Sequence, residues 1–366
     1  MQQDFMPLID WDHLELWVGN AKQAAYFYEH GFGFRQTAYA GPETGVRDRA
    51  SYVVEQGNIR LVLTSALRGD HEIARHQCLH GDGVKDVAIR VADAEHAYRQ
   101  ALQRGARGVA ETTWLEDEHG RVHLASIATY GETIHTFVNR EDYAGPYLPG
   151  YREVPTGDGA APLGVGLQLV DHVVGNVELG RMEHWVEFYE RCLGFTELIH
   201  FSDEAIHTEY SALMSKVMEG GGGRFKLPIN EPAEGKRKSQ IEEYLEYYGG
   251  PGVQHVAMAT DDIVGTVAAL KERGIRFLET PDSYYDDVED RVGDINEDYT
   301  DLRRLKILAD RDEEGYLLQI FTKTAQDRPT LFFEVIERHG ARGFGEGNFK
   351  ALFEAIEREQ ALRGNL

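Results

Sequence analysis

Short apolar runs with alternating polar positions recur along the chain and predict β-strands. The clearest runs in the second half are residues 169–174, 253–257 and 331–336. The apolar residues of segment 182–192 instead recur at the i, i+3, i+4 and i+7 spacing of an amphipathic helix, and Gly194 follows as a typical helix end. The chain is therefore predicted to have an α+β fold.

The first half of the chain repeats the pattern of the second half in the same order. Residues 12–14 correspond to 171–173, residues 27–34 to 188–195, and residues 83–88 to 252–257. Each half is itself double, and each unit contains a strand, a helix and three more strands. This repetition predicts two domains, each made of paired βαβββ modules, with open barrel-like sheets and outer helices.

The boundary between the two domains is predicted from a change in composition. Segment 141–166 holds four prolines and several glycines, which is typical of a linker. We place the first domain at residues 1–154 and the second at residues 155–366.

Three polar residues interrupt strand-like apolar runs of the second half: His172, His255 and Glu334. Because side chains alternate along a strand, Glu334 shares a face with Phe332 and Ile336, where an unpaired carboxylate is costly. Two imidazoles and one carboxylate form the facial triad of non-haem Fe(II), which leaves positions for an α-keto acid and dioxygen. Zinc hydrolysis is the alternative, but no H-E-x-x-H helix is present. We predict one Fe(II) per chain.

The repeat provides an internal control for this metal site. His13 corresponds to His172, but Asp86 stands in the place of His255 and Phe137 in the place of Glu334. A single histidine among valines is readily explained as a hydrogen-bonded core residue. Two histidines and a glutamate at matching places in successive modules are not. We predict that the first domain is a degenerate copy without a metal and that the second is catalytic.

Composition restricts the partners of the chain. Its 366 residues include 38 Lys and Arg against 62 Asp and Glu, and the resulting charge of −24 disfavours nucleic acid and anionic membranes. No long apolar run and no basic leader segment occur, so we expect a cytoplasmic protein. Cys78 and Cys192 are too few for a disulfide framework or a thiolate zinc site. A small-molecule partner is expected.

Several segments resemble the 4-hydroxyphenylpyruvate dioxygenase family of the vicinal oxygen chelate superfamily. They are residues 228–232, 236–241, 252–255, 318–323 and 343–349. The resemblance covers nearly all of residues 165–366, while residues 1–150 match mainly as a degenerate module. It implies that the three ligands bind Fe(II) and that 4-hydroxyphenylpyruvate and O2 become homogentisate and CO2, in tyrosine and phenylalanine catabolism.

The same resemblance implies roles for residues around the metal. The polar residues expected near the substrate are Ser215, Asn230, Gln240, Gln254 and Gln319. The family pair that matches Phe321 and Phe349 sandwiches the substrate ring. For Asn230 and Gln240 taken alone, the alternative is a solvent-facing loop position. For Phe332 and Phe344 we favour ordinary core packing.

The C-terminal segment has the spacing of an amphipathic helix behind glycines 343–347, with Asn348 as the predicted N-cap. The resemblance implies a lid that includes Gly345, Asn348, Phe349 and Phe353. The alternative is a terminal helix that only stabilises the fold.

Two alternative functions stay open at this point. A 4-hydroxymandelate synthase would share the fold, triad and substrate but oxidise the side chain; Asn230, Phe321 and the C-terminal helix favour the dioxygenase. A non-catalytic, metal-free binding protein of the same superfamily is the other, and the intact triad disfavours it. Because family members form homodimers or tetramers, we expect a homo-oligomer.

Overall fold

The computed structural model describes residues 4–155, 164–201, 212–233, 235 and 237–365. The first half forms a nine-stranded sheet. Its strands are β1 (Leu8–Trp17), β2 (Arg35–Ala40), β3 (Arg49–Gln56), β4 (Ile59–Ala66), β5 (Gly83–Val91), β6 (Gly108–Asp117), β7 (Gly120–Ala128), β8 (Ile134–Asn139) and β9 (Arg152–Glu153). Its helices are α1 (Ala21–His30), α2 (Glu72–His80) and α3 (Ala94–Gln103).

The second half forms an eight-stranded sheet. Its strands are β10 (Leu167–Asn176), β11 (Thr196–Phe201), β12 (Ala212–Gly220), β13 (Phe225–Ala233), β14 (Gly252–Thr260), β15 (Leu308–Arg311), β16 (Tyr316–Phe321) and β17 (Phe332–His339). Its helices are α4 (Met182–Phe188), α5 (Gln240–Tyr248), α6 (Ile263–Glu272), α7 (Val288–Val292), α8 (Tyr299–Leu305) and α9 (Phe349–Arg363).

Both sheets have the same topology. In the first sheet the strand order is β6-β7-β8-β5-β1-β4-β3-β2-β9, and in the second it is β11-β12-β13-β10-β14-β17-β16-β15. Each module pairs its first strand in parallel with its last, as β1 with β4 and β10 with β13, and the two first strands pair antiparallel. The predicted α+β fold of paired βαβββ modules is therefore confirmed. The boundary at residue 154 stays a prediction, since residues 156–163 lie outside the described part of the chain.

The helix predicted over residues 182–192 forms, but in two parts. After α4 the chain continues as a π-helical turn, Tyr189–Leu193, and ends at Gly194 with φ 73°. Tyr189 is fully buried, and its hydroxyl lies 2.9 Å from His135 Nε2 of the first half. The helix end thus contributes to the contact between the halves. Within the described residues, no helix has both the length and the apolar content needed to cross a membrane.

One buried phenylalanine fixes the orientation of β17. Phe333 packs edge-on against Tyr28 and Phe32 of the first half, with ring centroids 5.7 and 5.1 Å away. Because neighbouring side chains on a strand point to opposite faces, Phe332 and Glu334 must face the other side of the sheet. That other side is where the candidate site lies.

Candidate metal centre

His172, His255 and Glu334 come together on three neighbouring strands. They lie on β10, β14 and β17, which are adjacent in the second sheet, and the register places Glu334 opposite Ala257 and Val174 opposite His255. Glu334 Oε2 is 3.1 Å from His172 Nε2 and 3.4 Å from His255 Nε2. One ligand atom of each residue lies within 4.8 Å of the other two, and all three side chains are buried. This is the spacing of donors around a single ion.

Hydrogen bonds orient both imidazoles. His172 Nδ1 donates to Asp171 Oδ1 at 2.7 Å, and Asp171 in turn accepts two bonds from Arg338 at 2.8 and 2.9 Å. His255 Nδ1 donates to Gln254 Oε1 at 2.9 Å. Because each Nδ1 donates to an acceptor, Nε2 is the nitrogen of each ring that faces Glu334 and can bind a metal. The residues therefore fit a divalent metal with two nitrogen ligands and one oxygen ligand.

The charge states of the triad follow from burial and mutual contact. Burial lowers the pKa of His255, which keeps this imidazole neutral. Burial alone would raise the pKa of Glu334, but the charge and hydrogen bond of His172 outweigh it and the pKa is lowered. Burial opposes a charge on His172 as well, yet the neighbouring Glu334 and Asp171 carboxylates raise its pKa. An ionised Glu334 and a neutral His255 are the forms that bind metals.

A cavity of about 580 Å³, counted to its open mouth, extends from the triad. Seven of the predicted substrate-contacting or lid residues line it: Ser215, Asn230, Gln240, Gln254, Phe321, Phe349 and Phe353. Gln319 is different, because it is 1% exposed and does not line this cavity. It lies beneath Gly345, where an added Cβ would come within 2.5 Å of Gln319 Nε2. Gln319 therefore lies against Gly345, in the segment that precedes α9, and not at the cavity wall.

Amide and hydroxyl groups line one side of the cavity. Ser215 on β12 lies directly opposite Asn230 on β13 in the antiparallel register, so both point to the same face. Asn230 Nδ2 donates to Asn176 Oδ1 at 3.4 Å. Gln240 is the first residue of α5 and is 9% exposed. Neither Asn230 nor Gln240 is a solvent-facing loop residue, which was the alternative for both.

Aromatic rings surround the two imidazoles. Phe332 stacks on His255 with centroids 4.8 Å apart, and Phe344 meets His172 edge-on at 5.0 Å. Both phenylalanines line the cavity, and both also pack as expected, Phe332 within one buried hydrophobic cluster and Phe344 against another. Phe321 also meets His255 edge-on at 5.9 Å, and Phe349 packs edge-on against Phe201 at 5.0 Å.

Helix α9 lies over the cavity. Phe349, Leu352, Phe353 and Ile356 from this helix form part of the cavity wall. Ion pairs hold it in place: Lys323 with Glu359 at 2.8 Å, and Arg363 with Glu243 at 2.6 Å. The helix is therefore closed over the site in this structure.

The start of α9 departs from one expectation. Asn348 occupies the N-cap position, but its side chain makes no capping hydrogen bond. Its Oδ1 instead accepts from the Tyr284 hydroxyl at 2.5 Å. The predicted capping role is wrong, because the competing hydroxyl comes from a segment 64 residues away that local sequence does not reveal.

The corresponding place in the first half lacks the ligand set. His13 Nδ1 donates to Asp12 at 2.8 Å, and Asp12 pairs with Arg140 as Asp171 does with Arg338. Burial raises the pKa of Asp86 to about 6, despite the opposing charge of His13. Among the described residues, His13 belongs to no group of three His, Cys, Asp or Glu spaced to hold a metal. The absence of a metal there stays a prediction.

Sequence reasoning missed several residues of the site. Asp171 with Arg338, Asn176, and the cavity residues Phe201 and Leu213 were not assigned a role. The Asp171–Arg338 pair had a signal, since the Asp-His step occurs in both halves and an arginine stands at the end of the last strand (Arg338) or directly after it (Arg140). Asn176 had none.

Comparisons with known proteins agree with this geometry. Residues 169–320 and residues 12–122 each match a model of the Glyoxalase/Bleomycin resistance protein/Dioxygenase superfamily. The chain is 49% identical over 363 residues to the 4-hydroxyphenylpyruvate dioxygenase of Dictyostelium discoideum, covering 97% of this chain and 99% of that protein. It is also 49% identical to the enzyme of the same name from Danio rerio, covering 98% and 92%. A solved structure of a triple mutant of 4-hydroxymandelate synthase from Streptomyces coelicolor has a TM-score of 0.86 and 36% identity, covering 97% and 100%.

Proposed function

The chain belongs to the 4-hydroxyphenylpyruvate dioxygenases, and from this membership we propose that it converts 4-hydroxyphenylpyruvate and dioxygen to homogentisate and carbon dioxide at one Fe(II) ion. The family uses iron, and His172, His255 and Glu334 would hold it. The observation that carries the proposal is the convergence of these three donors, on adjacent strands, at the wall of a cavity. When bound there, iron supplies chelation of the α-keto acid and activation of dioxygen.

The protein's part in the reaction is to orient the ligands and the substrate. Asp171 and Gln254 hold the Nδ1 protons of the two histidines, so that Nε2 of each remains the donor atom. Both partners are fixed before any ion binds, which reduces the reorganisation that binding requires. We therefore assign Gln254 two roles, one toward His255 and one toward the substrate.

Polar residues of the cavity suit the two ends of the substrate. Ser215, Asn230 and Gln240 offer hydroxyl and amide groups that can bond a carboxylate or a phenol without adding a competing charge. Gln319 would act indirectly, through the position of Gly345. This arrangement supports a substrate that is polar at both ends and flat between them.

Aromatic residues suit the ring of the substrate. Phe321 is fixed on β16 beside His255, and Phe349 is supplied by the first turn of α9. A ring held between two such side chains gains offset or edge contacts in addition to burial. Because Phe349 belongs to α9, closing of the helix and clamping of the ring would be one event.

We also propose that α9 is a lid that excludes water during turnover. Its inner face is apolar, with Phe353 4% exposed, and its C-terminal half carries the ion pairs to Glu243 and Lys323. Gly345, at φ 76°, is where the chain turns toward the helix. Excluding water protects a reactive oxidant from side reactions.

Side-chain oxidation, as in 4-hydroxymandelate synthase, is the competing outcome. The relatives named as dioxygenases are 46–49% identical over nearly the whole chain, against 36% for the synthase structure. Ring oxidation is therefore the better supported of the two.

Product analysis tests this assignment directly. Iron-loaded protein is incubated in air with 4-hydroxyphenylpyruvate, and the product is chromatographed against homogentisate and 4-hydroxymandelate, which are isomers that mass alone does not separate. We expect homogentisate. A 4-hydroxymandelate peak would overturn ring oxidation, and the absence of oxygen uptake would overturn the dioxygenase class.

Matched histidine variants test the metal ligands. His172→Ala and Glu334→Ala should lose bound iron, whereas His13→Ala, the corresponding change in the first half, should retain about one iron per chain. Iron is measured after gel filtration. Full retention of iron and activity by Glu334→Ala would contradict the triad.

We further propose that the protein is cytoplasmic and forms a homo-oligomer. The net charge of −24 supports the first, since it disfavours association with anionic membranes. Family membership supports the second. Light scattering after size-exclusion chromatography gives the mass, and a particle of 41.3 kDa would be a monomer and contradict the proposal.

A further inference from the structure

A second cluster of metal-binding side chains lies outside the active site, in the first half of the protein. We propose that His76, His80 and Glu132 bind one divalent transition cation, with Zn²⁺ as the representative ion. His76 and His80 lie on α2, and Glu132 lies in the turn between β7 and β8. One ligand atom of each lies within 4.8 Å of the other two. The donor set is the same as in the triad, two imidazoles and a carboxylate.

The helix brings the two histidines onto one face. They stand at positions i and i+4 of α2, which are neighbours on a helix surface. Their ring centroids are 4.5 Å apart, and both residues are 3% exposed. Two imidazoles at this spacing can bind the same ion without bending the helix.

The interatomic distances are close to those of a zinc site. Glu132 Oε2 is 2.8 Å from His76 Nδ1 and 3.5 Å from His80 Nε2. Ligand atoms at tetrahedral zinc, with bonds of 2.0–2.1 Å, are about 3.3 Å apart. The first contact would lengthen by about 0.5 Å as the ion replaces the proton between His76 and Glu132, and that proton would move to His76 Nε2.

The surroundings fix His80 as a ligand. Its Nδ1 donates to the backbone carbonyl of Tyr248, and its ring stacks on the Tyr248 ring with centroids 4.5 Å apart. With the Nδ1 proton held by this carbonyl, Nε2 keeps its lone pair and can bind a metal. Histidine ligands of metal sites commonly make such a bond to a backbone carbonyl. The Nε2 atom of His80, which is the atom left for the ion, is buried and has no hydrogen-bond partner among the described residues. Buried polar atoms without partners are rare and call for an explanation.

The charge states also suit a cation. Burial lowers the pKa of His76 to about 4, so its imidazole is neutral at physiological pH. Burial would raise the pKa of Glu132, but the hydrogen bond from His76 outweighs it and the pKa is lowered. Lys85 is nearby, yet it donates to the backbone carbonyl of Glu132 and lies over the Trp17 ring, which leaves the carboxylate available.

A cavity open to solvent gives an ion access to this cluster, and a bound ion would link three segments of the fold. His76 and Glu132 line an open cavity, and the Glu132 side chain is 49% exposed. Gly131, beside Glu132, has φ 60° and lies so close to the Pro251 carbonyl that a Cβ would be 2.1 Å from it. The turn that carries Glu132 is therefore held against the second half. A bound ion would join α2, this turn and, through His80, the end of α5.

The test measures zinc and iron in the same samples. Iron-loaded protein is dialysed against Zn²⁺ and both metals are quantified per chain for the native protein, His76→Gln, Glu132→Gln and the control His119→Gln, an exposed histidine of the same half. We expect about one zinc per chain, with iron unchanged, in the native protein and the control, and background zinc in the two variants. Co²⁺ in place of zinc should give a visible absorption band in the native protein and not in Glu132→Gln.

Several outcomes would overturn the inference. If zinc were gained only as iron is lost, the zinc would be bound at the triad of His172, His255 and Glu334. If all four proteins bound equal amounts of zinc, the zinc would not be bound by His76 and Glu132. No zinc in the native protein would mean that the cluster is a hydrogen-bonded contact only. Because Glu132 is half exposed, Glu132→Gln should fold, and its iron content verifies this. The readout is independent of dioxygenase activity, so failure of the proposed function would leave this result interpretable.

Discussion

Replacing Asp171 by Asn should weaken iron binding without touching a ligand atom. Asp171 accepts the Nδ1 proton of His172 and two bonds from Arg338, and it is 6% exposed. Asn has the same shape but no charge, so it supports the imidazole less strongly and lowers its basicity as a ligand. Loss of such a partner typically weakens metal affinity about 10- to 100-fold, which corresponds to about 1.4–2.7 kcal/mol.

The same substitution should also destabilise the fold, and the two effects must be separated. The substitution leaves the Arg338 guanidinium, 14% exposed, without its carboxylate. Breaking a buried pair in this way costs roughly 3 kcal/mol or more. Urea unfolding of the iron-free protein measures this cost separately from the affinity for iron.

The repeat supplies the control. Asp12 holds His13 and Arg140 in the first half as Asp171 holds His172 and Arg338 in the second. Asp12→Asn should therefore reduce the free energy of unfolding by a comparable amount and leave the iron dissociation constant unchanged. Chelator competition gives that constant for both variants. Asp171 would have no role in supporting His172 as a ligand if Asp171→Asn bound iron as tightly as the native protein. The same conclusion would follow if Asp12→Asn weakened iron binding equally.

Three further variants test other parts of the structure. Phe349→Ala should raise KM for 4-hydroxyphenylpyruvate about 5- to 10-fold, equivalent to about 1 kcal/mol of ring contact, with iron content unchanged; oxygen uptake measures this, and an unaltered KM would exclude the ring clamp. Gly345→Ala forces a positive φ on a residue with a Cβ, costing about 1–2 kcal/mol, and pushes against Gln319; we expect lower kcat/KM and faster proteolysis in α9, and no change in either would exclude the hinge. Burial lowers the pKa of His135 from 6.5 to about 4. Above pH 6.5 the neutral imidazole therefore adds nothing unfavourable, but as the pH falls to 4 the free energy of unfolding drops by about 3 kcal/mol, because the unfolded chain binds the proton first. Urea unfolding between pH 7 and 4 should therefore depend less on pH in His135→Gln, and equal slopes would contradict this.

The metal ligands could be predicted from sequence because two local rules act on them. Strand alternation requires Glu334 to share a face with apolar residues, and the internal repeat predicts that the first half lacks this carboxylate. The alignment misplaced the equivalent residue by one position, since the strand register gives it to Thr136 and not to Phe137. The structure then places the three ligands on adjacent strands, with Phe333 on the opposite face. The paired βαβββ topology could be predicted for the same reason, since it depends on order and spacing along the chain.

The rest of the site depends on contacts between distant segments. Phe344 follows β17, yet its ring lies against His172, which is far earlier in the chain. Asn348 is a residue type that commonly caps helices, but its side-chain oxygen accepts a hydrogen bond from the Tyr284 hydroxyl instead. His76 and His80 have no strand-like setting, and their relation to Glu132 depends on a turn that the second half holds in place. Such contacts follow from tertiary packing, which single-sequence patterns do not contain.

Comparison of the two halves separates the residues that support the sheet in both from the residues that bind metal in one. The Asp-His step with its arginine is present in both halves, although among the described residues His13 belongs to no metal-binding group of three. In each half the aspartate and arginine connect the first strand of one module to the end of the other. Metal binding therefore depends on two further positions, occupied by His255 and Glu334 in one half and by Asp86 and Thr136 in the other. The prediction that Phe137 replaces Glu334 is wrong, because Phe137 pairs with Ile89 just as Val335, the residue after Glu334, pairs with Met258. Thr136 lines a cavity together with His13 and Asp86, and its backbone N–H donates to the Asp86 carboxylate. Among the described residues, the same sheet architecture thus presents a donor set of two histidines and a carboxylate in the second half and not at the equivalent place in the first.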